Sequence, residues 1–104
     1  MGGTGPADTA TESFMRYLAS EVGPRGVRVN CLWTAGVTDD ALEQATDPER
    51  QRIETIKDAL VEMSMLRKRP SIQEVADTAA FLASNRGSGI TASIVNVSSG
   101  ISGF

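Results

Sequence analysis

The chain has 104 residues, enough for one small core, and its 40% hydrophobic and 22% charged content is that of an ordinary soluble domain. A net charge of −3 argues against nucleic acid or an anionic membrane as partner, because both select basic surfaces. One cysteine and no histidine leave no disulfide, no structural zinc site and no histidine base or metal ligand; a metal-free domain in a reducing cytoplasm is the expectation.

Residues 1–6 are Gly-rich and read as a flexible lead-in. Thr9 with Glu12 reads as a capping box, and Gly23-Pro24 as a stop. Between them Thr11, Phe14, Met15, Leu18 and Val22 recur at helical spacing, with Ala10, Tyr17 and Ala19 widening the stripe, so burial on more than one side is expected. Tyr17 is read as a packing residue. The turn Gly23-Pro24-Arg25-Gly26 then leads into a strand over about residues 27–33, whose unbroken Cys31-Leu32-Trp33 suits a strand covered on both faces. Trp33 is read there as a core anchor, with a substrate-contacting ring at the carboxyl end of the strand as the alternative.

Residues 34–70 are polar and helical. Asp47 before Pro48 reads as an N-cap, and Ile53, Ile56, Leu60 and Met63 form one narrow apolar face. Arg67-Lys68-Arg69 is the one basic cluster and reads as solvated surface. Ser71 with Glu74 forms a second capping box, opening a helix whose inner face is Ile72, Val75, Ala76, Ala79, Leu82 and Ala83. A closing strand is expected over about residues 92–97. No apolar run approaches the roughly 20 residues of a membrane span, and no signal-peptide pattern is present.

Independent catalytic schemes find little support. Asp39-Asp40 and Asp47 with Glu49 are carboxylate pairs in polar loops, where such acids are usually solvated. Cys31 lies in an apolar strand, where a thiol is ordinarily inert.

The order of these signals carries more information than any one of them. A helix, the Gly-Pro-Arg-Gly turn, a Val-Arg-Val-Asn strand, a helical insert, Leu66-Arg67 followed by Pro70-Ser71-Ile72-Gln73-Glu74-Val75-Ala76, and a final Ile94-Val95-Asn96-Val97 strand together resemble the C-terminal half of a short-chain dehydrogenase/reductase. The resemblance implies an α/β fold: a partial Rossmann-like arrangement of two parallel strands with a crossover helix and packing helices. It implies one partial domain over residues 1–104, with residues 38–70 as a lid-like helical insert. It also implies NAD or NADP as cofactor, with the nicotinamide carboxamide meeting the turn at Thr34, Ala35, Gly36, Val37 and Thr38. The family's Tyr and Lys positions fall on Thr4 and Asp8. Neither residue suits the role, since Thr is no usable acid and Asp carries the wrong charge to lower a neighbour's pKa.

Gly2-Gly3-Thr4-Gly5 follows no strand and so lacks the setting of a phosphate-binding turn. The expectation is a truncated or degenerate NAD(P)-dependent oxidoreductase of this family with little or no catalysis alone. The alternative is a non-catalytic self-association module derived from that family. Two strands make a poor independent sheet, and an unpaired edge invites another chain, so a homo-oligomer, in first place a dimer, is expected.

Overall fold

A computed structural model describes residues 4–37 and 46–101. Helix α1 (Thr4–Val22) runs into a 3₁₀ turn (Gly23–Arg25) and strand β1 (Cys31–Thr34); helix α2 (Asp47–Met63), helix α3 (Ile72–Ala83), a second 3₁₀ turn (Asn85–Gly87) and strand β2 (Ile94–Val97) follow. β1 and β2 are parallel and form a two-stranded sheet. This is the expected α/β arrangement. The chain falls into two compact units, Met1–Leu32 with Ala79–Val95 and Trp33–Thr78 with Asn96–Phe104.

In the first unit α1 starts earlier than its sequence signals suggested. Thr4, Gly5 and Pro6 are already helical, and Thr9 is an interior residue whose Oγ1 donates to the Gly5 carbonyl (3.0 Å) rather than capping the helix. Pro6 is tolerated because the first turn has no intrahelical acceptors for its N–H groups. Met15 and Ala19, four residues apart, are buried. The wide stripe is not buried on several sides, however: Phe14 is 66% exposed and Tyr17 76%, which corrects the reading of Tyr17 as packed. The helix stops where expected. Gly26 adopts φ 79°, a left-handed value that costs glycine little, and its N–H donates to the Gly23 carbonyl (2.9 Å).

The strands are shorter than their apolar runs. Over residues 28–30 side chains replace part of the ladder. The Asn30 side chain donates to the Ile90 carbonyl (2.9 Å) and accepts from the Ser93 amide (3.1 Å), and Arg28 donates to the carbonyls of Ile90 (3.2 Å) and Ser84 (3.3 Å). Thr91 Oγ1 accepts from the Val29 amide (3.1 Å). Ala92 stands at φ 57°, outside strand geometry, so β2 begins at Ile94 and not at residue 92. Cys31, Leu32 and Trp33 are half-buried, so β1 is not covered fully on both faces. Leu82 is the one predicted inner-face residue of α3 that is buried; Ala76, Ala79 and Ala83 are exposed and Ile72 is 58% exposed.

In the second unit α2 begins one residue before its expected position. Thr46 is the N-cap and its amide donates to Glu49 Oε2 (3.3 Å); Asp47 is already helical. Ser64 closes the helix: its amide reaches the Leu60 and Val61 carbonyls, its hydroxyl donates to the Val61 carbonyl (2.8 Å), and its Oγ accepts from the Lys68 amide (2.8 Å). The Met65 and Leu66 amides then donate to the Gly100 (3.3 Å) and Ser99 (3.0 Å) carbonyls, tying this bend to the segment after β2. Ser71 Oγ accepts from the Glu74 amide (3.0 Å), as the capping box predicts. Ser71→Ala is expected to lower stability by about 1 kcal/mol, read as a lower urea midpoint at unchanged slope.

Candidate functional site

β1 delivers the chain to its carboxyl end at exposed Thr34, and a turn through Ala35, Gly36 and Val37 follows. Ligands of parallel α/β sheets collect at this end of the strands. Gly36 has φ 64°, and a Cβ there would lie 3.0 Å from Leu60 Cδ1 and 3.2 Å from Ile101 Cδ1. The left-handed backbone favours glycine here, and a larger residue would also make the Leu60 and Ile101 side chains give way by a few tenths of an ångström.

The turn's carbonyls are held by a residue that sequence reasoning missed. Arg69 Nε donates to the Gly36 carbonyl (2.7 Å) and its Nη2 to the Val37 carbonyl (2.9 Å). The basic cluster thus divides by role. Arg67 is exposed and pairs with Glu62 at 3.5 Å, and Lys68 pairs with Glu74, both being the kind of surface contact that contributes little. Arg69 is half-buried and not free surface. Nothing in the local pattern marks it, because its two acceptors lie 33 and 32 residues away.

Among the described residues the Gly36 and Val37 amides have no recorded acceptor. Backbone N–H groups of such a turn are donors, and a carboxamide oxygen is one acceptor that such donors serve. A backbone turn of this kind is compatible with a nicotinamide carboxamide. Thr38, the last of the five predicted positions, lies outside the described residues, as do Asp39 and Asp40.

The other predicted positions carry less chemistry. Thr4 and Asp8 are four residues apart in the first turns of α1, with Asp8 exposed. Glu49 serves the start of α2 and Cys31 is a free, half-buried thiol. Among the described residues no cluster of His, Cys, Asp or Glu is placed to hold a metal ion, and no helix is long and apolar enough to cross a membrane. A groove of about 460 Å³ in the first unit is lined by Gly26, Arg28, Asn30, Leu32, Ala79, Leu82 and Ala83. Its polar side chains are already engaged with the carbonyls of Ile90 and Ser84.

Two parallel strands with packing helices place the chain in the Rossmann-like α/β class. Comparison with known proteins narrows this. The family profile described as "Enoyl-(Acyl carrier protein) reductase" matches residues 3–102, and the chain belongs to this family of short-chain dehydrogenase/reductase proteins. The NADH-dependent enoyl-acyl-carrier-protein reductase FabI of Synechocystis sp. is 38% identical over 96 residues, covering 92% of this chain and 35% of that protein. The Aquifex aeolicus enoyl-acyl-carrier-protein reductase (NADH) superposes with a TM-score of 0.75 at 29% identity, covering 96% of this chain and 37% of that one. The Bacillus cereus enoyl-acyl-carrier-protein reductase, solved with NADP⁺ and indole naphthyridinone, gives a TM-score of 0.75 at 30% identity over 96% of this chain and 38% of that one. The chain thus spans little more than a third of the length of these relatives.

Proposed function

We propose that this chain is a degenerate NAD(P)H-dependent reductase segment that receives the nicotinamide end of the cofactor at residues 34–38 and has little or no turnover by itself. The observation that carries this reading is the turn after β1, whose Gly36 and Val37 carbonyls are held by the Arg69 guanidinium. Bound there, the dihydronicotinamide would supply a hydride. Proton delivery is the weak half of the chemistry. In the family a Tyr exchanges the proton while a Lys one helical turn away lowers its pKa, and Thr4 with Asp8 supports neither role. The lone half-buried thiol of Cys31 is compatible with a reducing, cytoplasmic setting.

Trp33 precedes the turn by one residue and reports on it. Titration with NADH or NADPH is expected to quench Trp33 emission saturably, with energy transfer to the dihydronicotinamide. Emission unchanged up to millimolar cofactor would refute the reading.

A second reading, self-association, is favoured by a separate observation: Phe14 and Tyr17 stand exposed on α1. Large apolar side chains grouped on one helix suit a second copy of the chain. Light scattering is expected to give a dimeric mass, and Phe14→Glu with Tyr17→Glu a monomeric one. A monomeric mass for the parent chain at high concentration would dismiss self-association and leave cofactor binding to be judged alone.

A further inference from the structure

The contacts of Arg69 go beyond holding a loop. A peptide group is planar and trans, so its C=O and N–H point in opposite directions. Among the described residues no peptide bond is cis. The Gly36 carbonyl and the Val37 N–H belong to one such group. Once Arg69 Nε holds the Gly36 carbonyl at 2.7 Å, the Val37 N–H is directed away from the guanidinium. The second bond, from Nη2 to the Val37 carbonyl, fixes the next peptide plane and prevents the turn from rocking about the first. Leu60 and Ile101 also lie close to Gly36, at 3.0 and 3.2 Å from where a Cβ would stand.

We propose that Arg69 is a positioning residue for the cofactor: its guanidinium holds the carbonyls of Gly36 and Val37 so that the Val37 amide is set to donate to the nicotinamide carboxamide. This rests on the cofactor reading of the turn after β1. Arg69 touches no cofactor atom and acts only through the turn. Arginine suits the task because one rigid fork reaches two acceptors, whereas a lysine keeps the charge but offers a single ammonium point.

The test is NADH titration of the whole chain, followed through Trp33 emission, for the parent and for Arg69→Met, Arg69→Lys and Arg67→Met. Loss of both charge-assisted bonds in R69M is expected to weaken NADH binding about tenfold. R69K is expected to fall between R69M and the parent, and R67M to match the parent, since Arg67 is exposed and bonds only to Glu62. Thermal melts separate positioning from folding. R69K melting with the parent while binding more weakly supports the proposal, and parental affinity in R69K and R69M overturns it. If R69M fails to fold, R69K decides alone: weakened binding supports the proposal and parental affinity overturns it. Absence of NADH binding by the parent overturns the cofactor reading and this proposal together, an outcome distinct from parental binding in the variants.

Discussion

Gly87→Ala is expected to cost this chain about 3 kcal/mol, a large part of the stability margin of a domain this small. Gly87 is buried in the 3₁₀ turn after α3, and its N–H donates to the Ser84 carbonyl (3.1 Å). A Cβ there would lie 2.7 Å from the Leu82 carbonyl oxygen, 2.9 Å from that of Phe81 and 3.0 Å from Leu82 Cα. All three are backbone atoms at the end of α3, so no side-chain rotation relieves the overlap. Either the helix end unwinds or the turn lifts away, and both disturb buried Leu82. Urea denaturation should show the midpoint falling sharply with little change of slope. Gly89→Ala is the matched control, because nothing lies within 4 Å of a Cβ at Gly89; it should stay within about 0.5 kcal/mol of the parent. Equal midpoints for the two variants would contradict the close approach.

The second unit has a comparable position in Gly100. Its φ is 78°, and a Cβ would meet Met65 Cβ at 2.6 Å, Met65 Cγ at 2.8 Å and the Met65 amide nitrogen at 3.1 Å. Two penalties combine in Gly100→Ala. The left-handed backbone costs an L-residue about 1 kcal/mol. The overlap adds a further 1–2 kcal/mol, roughly, by the usual cost of overpacking. The Met65 side chain is 73% exposed, so its Cγ can swing away, but its Cβ is fixed to the backbone. That same backbone donates to the Gly100 carbonyl, so retreat also breaks a hydrogen bond. Adding Met65→Gly to Gly100→Ala removes the blocking Cβ and should restore the steric part while leaving the conformational part. A double variant no more stable than Gly100→Ala would show that the backbone angle, not the contact, dominates.

Several elements of this fold are legible because their causes are local. α1 ends where Gly23-Pro24 and Gly26 say it must, and the Ser71 cap is made by the hydroxyl that the pattern nominates. The parallel pairing of β1 and β2 follows from the order of helix and strand signals, as does membership of the short-chain dehydrogenase/reductase family. Start positions are less secure. Thr9 has the composition of a cap and spends its hydroxyl on the Gly5 carbonyl, and Thr46 displaces Asp47 as the N-cap of α2. Such residues bond to whichever backbone group is nearest, and one more helical turn changes which group that is.

What the residues determine by themselves is the succession of helices and strands, the stops between them and the glycine at position 36. Propensity, capping and periodicity act over a few neighbours, and a reader of the chain sees the same few neighbours. Tertiary structure alone decides that Arg69, beside two surface cations, turns inward to the Gly36 and Val37 carbonyls, and that Asn30 joins Ile90 and Ser93 in place of a longer strand. It also decides that Phe14 and Tyr17 stay exposed while Met15 and Ala19 are buried. These outcomes depend on which distant groups need a donor and how much surface a two-stranded sheet offers to cover a helix, and neither quantity is written in any local run of side chains.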